Sequence, residues 1–313
     1  MENLKIVIAG GTGFIGQYIA KHLCKKNSIV ILTTKSLTNN HQTNTELFYT
    51  ENIKYVFWEM NQMGAWVDEL ENSDLLINLA GKSVNCRYTS RNKMAILNSR
   101  VDTTKALGVA LKNLKNPPKL WINSSSSTIY KHSETVANDE YTKEFNNDFS
   151  VQVCKAWEET FYAADTPKTN KVALRMAIVL GKGGVLIPYT NLCKWGLGGM
   201  QGNGRQMFSW IHIDDLLNIF KFLYSNNCEG TYNAAAPNPL NNKSLMKVFR
   251  DAIGVKFGLP APKLLLKLGA IFLGTETELV LKSRYVIPTK LINEDFKFKY
   301  SDIKMAINNL IQK

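Results

Sequence analysis

Short apolar runs alternate along the chain with longer stretches in which apolar positions recur every three to four residues. Runs of β type fall at 5–9, 29–33, 53–57, 75–79, 120–124 and 172–176. Helical patterns fill the gaps, notably at 17–25, 91–112 and 149–164. This alternation predicts an α/β fold, a doubly wound parallel sheet with helices on both faces. The stretch 34–52 is polar and rich in Asn and Thr, so it reads as a surface loop. The pattern changes after residue 180. Glycine-rich turns at 181–184 and 196–204 precede a strand at 207–211, a helix at 214–224, a strand at 230–234 and a helix at 244–252. An apolar helix at 262–273 and an amphipathic one at 301–311 end the chain. Residues 1–180 therefore read as the larger domain, with part of 207–235 returning to it, and 181–313 as a smaller, discontinuous C-terminal lobe. Ligands of open α/β sheets bind at the carboxyl ends of the strands, which places the expected site in the cleft between the two.

The first strand runs directly into Gly10-Gly11-Thr12-Gly13-Phe14-Ile15-Gly16, and a helical pattern follows at once. Strand, glycine turn and helix open a Rossmann nucleotide-binding unit. Gly10 permits the tight turn, Gly13 lets the backbone approach a pyrophosphate, and Gly16 lets helix and strand pack closely. The helix N-terminus offers N–H groups and partial positive charge to phosphates. Gly10, Thr12, Gly13, Phe14, Ile15 and Gly16 are thus candidate cofactor contacts. The fourth apolar run ends in Leu79-Ala80-Gly81, whose small residues let a ribose or flat ring lie against the backbone. An acid after the second strand would select NAD, but none appears before Glu46. Thr34 and Lys35 stand there instead and suit a 2′-phosphate, so the expected cofactor is NADP.

Composition narrows the classes. The chain has 313 residues, 45% of them hydrophobic, ample for a large core. Its net charge is +12, but the lysines are spread out and no nucleic-acid-binding signature accompanies them, so no nucleic-acid partner is expected. No apolar run reaches the length of a membrane span, and the first strand begins too soon for a signal peptide; no membrane partner is expected. Five scattered cysteines and four histidines show no metal-ligand spacing, which argues for reduced thiols, a cytoplasmic setting and no metal site.

Together these segments resemble the extended short-chain dehydrogenase/reductase superfamily: GGTGFIG at 10–16, DLLINLAG at 74–81, SSSSTIY at 124–130, LRMAIVLGKGG at 174–184 and WIHIDDL at 210–216. The tail 274–298, with the WE pair at 157–158 and GNGRQMFSWIHIDD at 202–215, is similar to an atypical subgroup known as epimerase family proteins. The resemblance implies catalysis by a Tyr and a Lys four residues later on one helix, with a Ser from the preceding strand end. Among twelve tyrosines only Tyr300 has a Lys at the fourth following position, and it lies near the C-terminus. On the helix at 149–164, aligning Lys155 with the superfamily lysine puts Val151 in place of the Tyr; aligning Glu158 instead makes the pair Ser150 and Cys154. The usual dyad is missing in both frames.

Ser126 matches the superfamily serine, four residues before Tyr130, and Ser124 is placed with the cofactor contacts. Tyr130 and His212 are the candidate replacement proton donors, and a histidine's free pKa near 6.5 suits that role. Lys155 remains a candidate for the ribose hydroxyls. Arg100 and Arg205 are the candidate anion binders on the substrate side. The expectation is an NADP-dependent oxidoreductase or epimerase of atypical mechanism, acting on a small anionic substrate. The alternative is a non-catalytic NADP(H)-binding sensor or scaffold. The resemblance also implies a homodimer built on the long helices.

Overall fold

The computed structural model describes residues 1–34, 47–60, 62–272 and 276–311. Lys35 lies outside them. The strands are β1 Lys5–Ala9, β2 Ser28–Thr33, β3 Ile53–Phe57, β4 Leu75–Asn78, β5 Leu120–Ser126, β6 Asn170–Met176, β7 Ile178–Gly181, β8 Gly183–Gly184, β9 Met207–Phe208, β10 Trp210–His212, β11 Gly230–Ala234 and β12 Leu240–Asn241. The helices are α1 Phe14–Leu23, α2 Ala65–Asp68, α3 Ser90–Asn113, α4 Phe149–Ala163, α5 Leu186–Lys194, α6 Ile213–Ser225, α7 Asn242–Ala252, α8 Lys263–Phe272, α9 Glu278–Leu281, α10 Thr289–Asn293 and α11 Ile303–Ile311.

Seven strands form one sheet in the order β11-β6-β5-β4-β1-β2-β3. All neighbours in it are parallel. Side chains of a strand alternate between faces, so β1 divides its own apolar run. Ile6 and Ile8 join the core cluster that holds Ile19 and Leu23 of α1 and Phe220 and Leu223 of α6. Val7 and Ala9 join the opposite cluster, with Leu107 and Leu111 of α3 and Phe161 of α4. Both faces are covered, which is why the strands read as continuous apolar runs rather than as alternating ones. The chain runs outward from β1 through β2 to β3, then crosses to β4 on the other side of β1. This reversal leaves a crevice beyond the carboxyl ends of β1 and β4.

Residues from Leu180 onward build a third apolar cluster. Leu186 and Cys193 of α5, Leu245 and Phe249 of α7, and Ile303 and Ile307 of α11 meet there. β11 instead completes the main sheet beside β6. The expected single strand at 207–211 is two strands. β9 pairs antiparallel with β12, and β10 pairs parallel with β7. The break falls at buried Ser209. Its hydroxyl donates to the Arg284 carbonyl at 2.7 Å and accepts from the Val286 N–H at 2.8 Å, so a crossing segment takes the place of a continuous ladder. Among the described residues, no helix is long and apolar enough to cross a membrane.

Candidate functional site

A cavity of about 510 Å³ opens at the crevice. One end is the β1–α1 turn, with Gly10, Gly13, Phe14, Ile15 and Gly16 in its wall. Gly10 has φ +72°, and a Cβ there would lie 2.7 Å from the Ala80 backbone, so the turn and the end of β4 can touch only through glycine. A Cβ on Gly16 would lie 2.5 Å from Gly11 Cα, which brings the first turn of α1 hard against the glycine turn itself. Gly13 differs. Its φ is −79°, and a Cβ would approach nothing closer than the Gly10 carbonyl oxygen at 3.9 Å. It is also the N-cap of α1 and supplies no side-chain acceptor, so no cap closes that helix end. Packing within the chain therefore does not require glycine at 13; an open approach to the helix N-terminus does.

Leu79, Ala80 and Gly81 line the next stretch, followed by Ser124, Ser125 and Ser126 at the end of β5 and by Met176 and Ala177 after β6. The serines diverge. Ser125 donates to Glu158 Oε1 at 2.5 Å. Ser126 Oγ accepts the Thr128 N–H at 3.2 Å. Ser124 Oγ is buried with no hydrogen-bond partner in the protein. A buried hydroxyl left unpaired on a cavity wall fits a site made to be filled by a polar ligand.

α4 forms the far wall. Its cavity face carries Ser150, Val153, Cys154 and Trp157, spaced as neighbours on one side of a helix. Of the two frames the sequence allows, this is the one with Ser150 and Cys154 four residues apart. Burial pushes the Cys154 thiol up to about 12, so it is neutral. Lys155 is not on the cavity wall; its ammonium sits 5.2 Å from the centre of the Phe145 ring. Glu158 faces backwards into a buried network. Arg175 grips it through Nε at 2.8 Å and Nη2 at 2.7 Å, and gives Nη1 to the Tyr130 hydroxyl at 2.9 Å.

Two candidate proton donors are therefore not brought to the cavity. Tyr130 donates to Asn233 Oδ1 at 2.9 Å, and burial pushes its pKa up to about 12. Its phenol is held behind the wall between Arg175 and Asn233. His212 is buried, stacked on Tyr300 at 3.8 Å, and accepts the Asp214 N–H at Nδ1 as the cap of α6. Burial lowers its pKa to about 4. Arg205 is exposed and is not on the cavity wall, nor are Thr12 and Thr34.

Arg100 does reach the cavity. Its guanidinium packs beneath Gly81, where a Cβ would lie 3.1 Å from Cζ, and Nη1 donates to the Ile96 carbonyl at 2.9 Å. Burial lowers its pKa. It fastens the turn after β4 to α3, with Nη1 also donating to the Lys82 carbonyl at 3.1 Å.

Among the wall residues that sequence reasoning passed over are Tyr88 and Arg284. The Tyr88 ring meets Phe149 edge-on at 5.1 Å. Burial raises the pKa of its phenol, and the neighbouring Ser150 hydroxyl opposes that rise. Arg284 is buried, and its Nε donates to Thr128 Oγ1 at 3.2 Å. Burial holds its pKa below the usual guanidinium range, opposed by the charge of Glu278. The tail straps across the cleft to bring Arg284 in. Glu276 accepts the Tyr88 N–H at 2.8 Å and pairs with Arg87 at 3.3 Å, and Lys282 pairs with Asp148 at 2.9 Å. Arg284 stands inside the tail that carries the subgroup resemblance, the one signal pointing to it. Among the described residues, no group of three or more His, Cys, Asp or Glu is placed to hold a metal ion.

Known proteins resemble the chain over its whole length. The epimerase family protein YfhF of Bacillus subtilis is 31% identical over 98% of both chains. The epimerase family protein SSP1921 of Staphylococcus saprophyticus is 32% identical over 97% of this chain and 98% of its own. Human epimerase family protein SDR39U1, solved with NADPH, superposes with a TM-score of 0.81 at 25% identity, covering 98% of this chain and 99% of its own. Bordetella bronchiseptica WbmG, solved with NAD, shares the fold at 16% identity and a TM-score of 0.76 over 99% of this chain and 94% of its own. Residues 261–310 match a domain of unknown function, DUF1731. The model of the NAD dependent epimerase/dehydratase family matches residues 6–235, and the chain belongs to that family.

Proposed function

We propose that the chain binds NADP and acts on a small anionic substrate as an oxidoreductase or epimerase that works without a Tyr–Lys pair on α4. The observation that carries this reading is one cavity with an uncapped helix N-terminus at one end and a buried guanidinium at the other. Open space at Gly13 and the unpaired Ser124 hydroxyl fit a dinucleotide lying between them. The N–H groups of the first turn of α1 hold the pyrophosphate, and Leu79–Gly81 accommodates a ribose. Ser124, Met176 and Ala177 border the nicotinamide. Thr34 and Lys35, with no acid before Glu46, favour a 2′-phosphate, and NADPH is the nucleotide in the human relative. The cofactor, when bound, supplies or accepts a hydride.

The chain's own residues do the rest. Arg284 holds the anionic group of the substrate, in place of Arg205 and Arg100. Ser126 polarises the reacting oxygen. Tyr88, whose raised pKa keeps it protonated at neutral pH, donates a hydrogen bond beside Ser150 and Phe149. A fluorescence titration with NADPH and with NADH tests the first half, and tighter NADPH binding is expected. A screen of small 2-oxo acids for NADPH oxidation tests the second.

A second reading, a non-catalytic NADP(H) sensor, is favoured by one observation: the cavity face of α4 offers Ser150 and a neutral thiol where a phenol and an amine would stand. Tight NADPH binding with no turnover on any carbonyl compound would support it.

A further inference from the structure

Far from the cavity motifs, two segments of the C-terminal lobe are zipped together. The Leu259 N–H donates to the Gly196 carbonyl at 2.8 Å, and the Gly199 N–H donates to the Leu259 carbonyl at 3.1 Å. The Ala261 N–H donates to Met200 at 2.9 Å, and the Gly202 N–H donates to Ala261 at 2.9 Å. Large apolar side chains stand out from this seam. Trp195 is 74% exposed, Leu264 70% and Phe257 66%, and Leu197, Leu259 and Leu265 are exposed beside them. Scattered single exposed leucines are ordinary; six large apolar side chains exposed on two segments held together by backbone hydrogen bonds mark a contact surface.

The charge of the two segments says what they contact. Residues 192–213 carry Lys194 and Arg205, and residues 252–267 carry Lys256, Lys263 and Lys267; neither stretch contains an Asp or Glu. All five basic residues are exposed. We propose that this face docks on the surface of an anionic phospholipid bilayer. Tryptophan, phenylalanine and leucine enter the headgroup boundary, and the lysines set among them keep their ammonium groups at the phosphates while their stems lie along the apolar surface. Two features disfavour the other occupants. Cores of protein–protein interfaces are depleted in lysine, whereas here lysines flank the apolar residues at 194–195, 256–257 and 263–264. A second copy would set five cations against five with no acid in either segment to pair them. The shortness of the apolar runs in the sequence, on which a membrane partner was set aside above, bears on spanning and not on surface contact.

The test is co-sedimentation of the full chain with vesicles of phosphatidylcholine alone and of phosphatidylcholine mixed with phosphatidylglycerol. Partitioning at least about tenfold stronger onto the anionic vesicles, abolished by about 0.5 M NaCl, is expected. The double variant Lys263→Glu/Lys267→Glu should lose about tenfold of that partitioning, and Trp195→Ser on the other segment should weaken it too. NADPH affinity and melting temperature serve as folding controls for both variants. Equal binding to both vesicle types means adventitious apolar adhesion, and no binding to either removes the bilayer; both outcomes overturn the proposal. So does concentration-dependent self-association that the same variants abolish, which would make the face an interface between copies.

Discussion

The two ends of the cavity are built in different ways. The glycine-turn end is local. Residues 10–16 supply the tight turn, the close helix and the open helix N-terminus within one stretch of chain, and the neighbours that meet them, Leu79, Ala80 and Ile31, come from the end of the adjoining β4 and from β2. The α4 end is assembled from parts far apart in sequence. Tyr88, Ser126, Ser150 and Arg284 converge from four elements, and the helix face at its centre lacks the expected tyrosine and lysine. A cofactor can be held by backbone geometry that tolerates many side chains. Chemistry at a substrate needs particular side chains, and the cavity face of α4 carries Ser150 and Cys154 where the resemblance implies a tyrosine and a lysine.

The comparison can be broken by mutation. The largest effect is expected behind the α4 end. Glu158→Ala leaves Arg175 buried without its carboxylate, and losing one partner of such a pair costs about 3–5 kcal/mol. Urea unfolding followed by tryptophan fluorescence reads that loss, and a change below about 1 kcal/mol would show that the pair does not fasten α4 to the sheet. At the other end, Gly13→Ala has no clash to relieve and an ordinary φ. It should leave the melting temperature within about 2 °C of the parent while weakening NADPH by about 100-fold, or about 2.7 kcal/mol. Gly16→Ala should lower both, because its Cβ meets backbone.

Arg284→Met sharpens the comparison from the substrate side. NADPH affinity should hold, while binding of a small carboxylate such as oxamate to the NADPH-loaded protein falls by roughly 10- to 100-fold, the worth of a charged hydrogen bond. Equal loss of both ligands would move Arg284 from the substrate to the cofactor or to the fold. A separate effect concerns pH. His212 has a folded pKa near 4, below its unfolded value, so unfolding takes up a proton between about pH 6.5 and 4. The stability it contributes is complete above that window and is lost as pH falls through it. His212→Asn, which keeps an acceptor for the Asp214 N–H, should flatten the decline in stability across that range; an unchanged slope would place the titration elsewhere.

The centre of the sheet was legible because β1, β2 and β4 are buried on both faces and so read as unbroken apolar runs. The single strand expected at 207–211 misled because its break at Ser209 is made by a segment more than seventy residues away, and no local pattern records that. The glycine turn was legible for the same reason its end of the cavity is local. Tyr130 and His212 looked like proton donors because sequence shows a titratable type at a plausible strand end. It does not show that Arg175 and Asn233 occupy one, or that the other caps α6 under Tyr300. Arg205 drew attention through its glycine-rich loop, yet the cations on the cavity wall are Arg100 and Arg284, the latter brought in by contacts of Glu276 and Lys282 that join residues well over a hundred positions apart.

The measurement that tests the account most directly is a paired titration of the parent protein and Gly13→Ala with NADPH, each with its thermal melt. The account predicts tight binding by the parent, about 100-fold weaker binding by the variant, and superimposable melts. Equal affinities would show that no phosphate lies against the first turn of α1, and absence of binding by the parent would leave the glycine turn as a packing device without a ligand.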